Sequence, residues 1–142
     1  MPQIFIASDH AGFELKQHLI ETLKEELQDL GTYSADSCDY PIYANKLTEE
    51  VLHTPDSVGI LICGSGVGMS IAANRIKGIR AALCSNEEIA ELSRKHNDAN
   101  VLVLGARFIS KECAVNCVRK FLQTQFEGGR HARRVEMIDK NC

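Results

Sequence analysis

Val58-Gly59-Ile60-Leu61-Ile62-Cys63-Gly64-Ser65-Gly66-Val67-Gly68 is the stretch that decides how the chain folds. Its first six residues form a continuous apolar run rich in β-branched side chains, the pattern of a central parallel strand covered on both faces. Glycine then recurs at 64, 66 and 68, and a helix is expected from about Met69 to Ile76. A buried strand that passes through a glycine turn into a helix is the start of a strand–helix–strand unit.

The same alternation extends in both directions. Gln3–Ser8 reads as a strand ending in the polar cluster Ser8, Asp9, His10. A helix follows, with Leu15, Leu19, Leu23 and Leu27 at intervals of four forming one apolar stripe. Gly31 closes it or the turn after it. Thr32–Asp39 is polar, with room for a short edge strand. Tyr40-Pro41 opens a second helix, Pro41 suiting its first turn, and Ala44, Leu47 and Val51 are its buried face.

Beyond the decisive stretch, Ile79–Cys84 is the next strand. Ser85-Asn86-Glu87-Glu88 reads as a capping box, Ser85 as N-cap and Glu88 reaching back, for a helix to about Lys95. His96-Asn97-Asp98 connects it to a strand at Asn100–Leu104. A helix after Ser110 turns Ala114, Cys117, Val118 and Phe121 inward, and Gly128-Gly129 precedes a basic segment, Arg130–Asp139, read as helical. This alternation predicts a single-domain, Rossmann-like three-layer α/β sandwich over residues 1–142, with a parallel sheet and helices on both faces.

Bulk properties exclude several classes. The 142 residues suffice for one domain with its own core. A net charge of −3 argues against a general nucleic-acid binder. No apolar run is long enough for a membrane span, and Asp9, His10 and Glu14 break any signal-peptide pattern. Six cysteines without a secretory context read as reduced thiols of a cytoplasmic protein. Cys113 and Cys117 stand one helical turn apart but lack a second pair, so no metal site is expected.

In a parallel sheet, ligands bind at the carboxyl ends of the strands. The candidates are therefore Asp9-His10, Cys63 with its loop, Ser85-Asn86, and His96-Asn97 before the last strand. The loop Gly64–Gly68 lets backbone N–H groups converge, and the helix behind it adds partial positive charge. It suits a phosphate or a reaction oxyanion; the plain alternative is a tight strand-to-helix turn. Gly68-Met69-Ser70 lacks the lysine of an ATP-binding loop, and Met69 stands where a dinucleotide fingerprint needs a small residue. Cys63, facing N–H dipoles, is a candidate nucleophile or base rather than a buried strand thiol. Asp9 could instead cap the first helix, and His96 could cap the end of its own. Arg130 and Arg134 share a helix face, and arginine forks suit phosphate.

The strings Ser8-Asp9-His10-Ala11-Gly12, Asp39-Tyr40-Pro41, Ile62–Asn74, Ser93–Asp98 and Glu127-Gly128-Gly129-Arg130-His131, in this order, resemble the type B ribose-5-phosphate isomerase family, which includes the galactose-6-phosphate isomerase subunits. The resemblance spans nearly the whole chain. It implies a cofactor-free aldose–ketose isomerase of the pentose phosphate pathway, interconverting ribose 5-phosphate and ribulose 5-phosphate through an enediolate. Cys63 would be the base, and His96 the group that opens the sugar ring. His10, Arg107, Arg130 and Arg134 would hold the phosphate. Asp9, Ser65 and Asn97 would contact hydroxyls with Tyr40 nearby, and Gly64, Ser65, Gly66, Val67 and Gly68 would hold the enediolate. The resemblance also implies a homodimer or tetramer whose site is shared between subunits. Ser65 replaces the threonine of many relatives. Competing readings are an allose or galactose 6-phosphate isomerase, a non-catalytic sugar-phosphate-binding protein, and a thiol redox protein.

Overall fold

The computed structural model describes residues 2–140. Among them, five parallel strands form one sheet: β1 (Ile4–Ser8), β2 (Leu27–Asp29), β3 (Val58–Cys63), β4 (Ala81–Leu83) and β5 (Val101–Gly105), in the order β2-β1-β3-β5-β4. The helices are α1 (Phe13–Thr22), α2 (Tyr40–His53), α3 (Val67–Asn74), α4 (Glu87–Asn97), α5 (Lys111–Gln123) and α6 (Arg130–Ile138).

Alternate strand residues face opposite sides of the sheet. Ile4, Ile6, Ile60, Ile62, Leu102 and Leu104 pack against α1, α4 and α5. Phe5, Ala7, Leu61, Cys63, Val101 and Val103 pack against α2 and α3. The expected three-layer α/β sandwich is therefore present, and Cys63 belongs to the α2/α3 layer. Cys84 and Cys117 are packing thiols of the other layer. Burial pushes the Cys84 thiol up to about 11 and, with Cys113 adding to it, Cys117 up to about 12, so neither is poised to react.

Three local expectations need correction. The four-leucine stripe is not one helix: α1 stops at Thr22, Leu23 is extended, and Leu27 starts β2. An α-helix of ten residues already runs about 15 Å, matching the roughly 17 Å of five-residue β1, so the chain must turn there to enter the sheet. The edge strand thus lies at Leu27–Asp29 and not within Thr32–Asp39. The cap of α4 is Asn86, whose Oδ1 accepts from Ile89 N at 2.9 Å, one residue later than Ser85. Cys84 N still pairs with Val103 O at 3.1 Å, which delays the turn by that residue.

Lys16 interrupts the apolar stripe of α1 and is fully buried. Its Nζ donates to both Asp29 oxygens at 2.7 and 2.8 Å, and Asp29 Oδ1 also accepts from Gly31 N at 2.9 Å. The pair clamps the edge strand and the turn after it to α1. Asp29→Ala strands a buried ammonium and is expected to cost about 3–5 kcal/mol. Lys16→Met leaves an aspartate that water can reach and costs far less. Urea unfolding of the two variants side by side checks the order.

Candidate active site

From β1 the chain winds to β2 on one side, and from β3 it winds towards β5 and β4 on the other. The crevice above the carboxyl ends of β1 and β3 is the switch point where such sheets hold ligands. Asp9 and His10 come from β1, and Cys63 and its loop from β3. Glycines bring the pieces together. A side chain on Gly12 would strike the Ile62 carbonyl at 2.7 Å, and one on Gly68 would enter the Tyr40 ring at the same distance.

Each polar group here has a defined state. Asp9 is buried and its Oδ1 accepts from Gly12 N at 3.1 Å, so one oxygen caps the following turn and the other is left for a ligand. His10 Nδ1 accepts from Cys38 N at 3.2 Å, which puts the proton of the neutral ring on Nε2. The Arg107 guanidinium lies on Gly64, where an added Cβ would come within 3.2 Å of it, and Arg107 N donates to Gly64 O at 2.9 Å. The Ser65 hydroxyl accepts from Val67 N at 3.2 Å. Ser70 N bonds back to Gly66 O at 3.0 Å, leaving Gly68 and Met69 N–H among the orphan donors of the first turn of α3. Helix α3 begins two residues earlier than the sequence suggests, so Val67 and Gly68 are part of it. Gly66, at φ +80°, makes the turn into it.

Gly105 supports this loop from β5. A Cβ there would collide with the Ser65 carbonyl and its carbon. Gly105→Ala is expected to destabilise the protein by about 1–3 kcal/mol and to displace the loop. Activity should fall even below the melting point; thermal unfolding and initial rates on one sample check both effects.

His96, Asn97, Arg130 and Arg134 lie elsewhere. Helix α4 runs back across the sheet, so His96 and Asn97 at its end sit beside the amino edge, where β5 starts. Along the strands that edge is about 13 Å or more from Cys63, from five residues of β5 at about 3.3 Å each. Grouping His96-Asn97 with the carboxyl-edge residues is thus corrected: a helix that precedes a parallel strand ends at that strand's beginning. Arg130 and Arg134 of α6 are exposed on this second side. Asn97 lines a cavity of about 380 Å³ with Asn74, Arg80 and Ile138. Ser85, just past β4, flanks another cavity of about 470 Å³, which Ser65 and Val67 of the glycine loop also line.

Around His96 the sequence reading missed a constellation. His96 and His131 stack with centroids 4.3 Å apart and planes 12° from parallel. Each Nε2 lies 3.8 Å from Glu127 Oε1. Burial, then the neighbouring charges of His96 and Arg130, hold the His131 imidazole below its usual range. Only the four-residue spacing of Glu127 and His131 hints at this cluster in the sequence. The candidate residues therefore fall into two groups: Asp9, His10, Tyr40, Cys63–Gly68 and Arg107 on one side, and His96, Asn97, Arg130 and Arg134 on the other.

Residues 4–138 match a family model described as ribose/galactose isomerase. The ribose-5-phosphate isomerase B of Escherichia coli is 48% identical over 141 residues, covering 97% of this chain and 95% of that protein. The crystal structure of a ribose 5-phosphate isomerase from Thermotoga maritima superposes with a TM-score of 0.94 at 51% identity, covering 98% of both chains. That of ribose-5-phosphate isomerase B from Mycoplasma genitalium with bound ribulose-5-phosphate gives 0.93 at 43% identity, over 98% of this chain and 95% of that one.

Proposed function

The chain belongs to the ribose/galactose isomerase family, and from that premise we propose that it interconverts ribose 5-phosphate and ribulose 5-phosphate through an enediolate, a step of the pentose phosphate pathway. The observation that carries this reading is Cys63 at the β1/β3 switch point, next to a loop that offers backbone N–H donors. A base must move a proton between C2 and C1, and the charge that develops on oxygen needs preorganised donors. Cys63 is that base. Gly64, Ser65, Gly66, Val67 and Gly68 frame the enediolate, while Asp9, Ser65 and Tyr40 meet the hydroxyls.

His96 opens the sugar ring by general acid–base catalysis, Asn97 orients it, and Arg130 and Arg134 hold the phosphate with His10 and Arg107. One copy cannot do this, because its two half-sites lie at opposite edges of the sheet. A homodimer that sets the His96 side of one copy against the Cys63 side of the other completes the site. An uncovered apolar face supports this arrangement: Val67 and Ile71 on α3 are 50% and 57% exposed, and Phe108 beyond β5 is 77% exposed. The enzyme works in the cytoplasm, as its five described free thiols suggest.

Ribose 5-phosphate incubated with the pure protein in D2O is expected to yield ketose with deuterium at carbon. No ketose and no exchange rejects the reading. A higher kcat/KM for allose or galactose 6-phosphate would move the substrate to six carbons on the same residues.

A further inference from the structure

We propose that His96, Glu127 and His131 form a site for a divalent transition-metal ion of the zinc class, and that an ion bound there blocks ring opening by taking the His96 nitrogen. The blocking step rests on the isomerase reading above; the binding does not. The three ligand atoms, both imidazole nitrogens and a carboxylate oxygen, lie within 4.8 Å of one another. Two imidazoles and one carboxylate are a donor set that zinc takes with a fourth position left open.

The backbone holds the three ligands together. Glu127 N donates to Lys95 O at 3.1 Å, and Arg94 Nε donates to Thr124 O at 3.2 Å, so the segment before α6 is tied to the end of α4. In a tetrahedral zinc site neighbouring ligand atoms lie about 3.3 Å apart. The 3.8 Å from each Nε2 to Glu127 Oε1 must therefore close by only about half an ångström. The stacked rings must also fan apart, because lone pairs of parallel imidazoles do not converge on one point. His96 at 41% and Glu127 at 51% side-chain exposure have room for that rotation.

Charge sets the strength and choice of ion. Arg130 and Arg134 next to the cluster oppose a dication, so binding is weaker than at a structural zinc site. Imidazole donors favour zinc, nickel or copper over magnesium and calcium, which prefer an all-oxygen shell. The consequence is reversible inhibition, in which metal and sugar phosphate compete for the same face.

Calorimetric titration of the full-length protein with zinc chloride tests the site. One ion per chain is expected, with no heat from magnesium. Glu127→Gln and His131→Ala should each weaken zinc binding by about a hundredfold or more, while Lys16→Met, at the β2 edge of the sheet, should bind as the unaltered protein does. Absence of zinc binding, or affinity in both ligand variants equal to that of the unaltered protein, overturns the proposal, as does loss of binding in Lys16→Met. In the isomerase assay, zinc should slow turnover and a chelator restore it, and Glu127→Gln should lose that sensitivity. Inhibition that persists in Glu127→Gln overturns the blocking role. A protein that binds zinc as described but never turns over ribose 5-phosphate rejects the isomerase reading and leaves the metal site standing.

Discussion

Cys63→Ser is expected to lower kcat by roughly 10²–10⁴-fold, the usual contribution of a general base. The hydroxyl is nearly isosteric but is a far weaker acid than the thiol, so it is not available as the deprotonated base near neutral pH. The side chain is buried in the core layer beneath α2 and α3, and a near-isosteric replacement there should leave the fold intact. Substrate binding should change little, because the proposed phosphate contacts, the arginines and His10, are left intact. Steady-state kinetics together with solvent-deuterium exchange separate the cases. A thiol redox protein would lose nothing of its isomerase activity, and a protein that only binds sugar phosphate would show no turnover before the substitution either.

The second large effect is complementation between two inactive variants. Cys63→Ser damages one half-site, and the double variant Arg130→Ala/Arg134→Ala damages the other. Each alone should be nearly inactive, since each lost charge-assisted hydrogen bond to phosphate is worth about 1.5–3 kcal/mol. Unfolded together in equal amounts and refolded, half of the dimers are mixed, and each mixed dimer has one intact site. Recovery of about a quarter of the unaltered activity is therefore expected. No recovery, with mixed dimers verified by mass, would mean that both halves act within one chain. The opposite edges occupied by Cys63 and His96 argue for recovery.

Much of the architecture was legible because patterning and layers share one physical cause. Val58–Cys63 is apolar without interruption, and both of its faces are covered. Ala44, Leu47 and Val51 repeat at helical spacing, and all three are buried. The errors fell where local signals compete. Leu27 continues a helical stripe, yet the length of β1 obliges the chain to leave the helix before it. Ser85 and Asn86 are both good caps, and one further strand hydrogen bond selects Asn86. Lys16 gave no warning in the sequence, since its partner Asp29 is thirteen residues away.

Residues adjacent in the chain were therefore enough to show the strand, the glycine turn, the helix behind it and the cysteine between them, because strand burial, turn geometry and helix dipole all act over a few residues. Placing His96 depended on the direction in which α4 crosses the sheet. Assembling His96, Glu127 and His131 depended on the docking of a segment thirty residues further on. Those are long-range packing outcomes, and no local periodicity encodes them. The separation of the Cys63 group from the His96 group, at opposite edges of the sheet, follows from the topology, and the proposed sharing of the site between two copies rests on that separation.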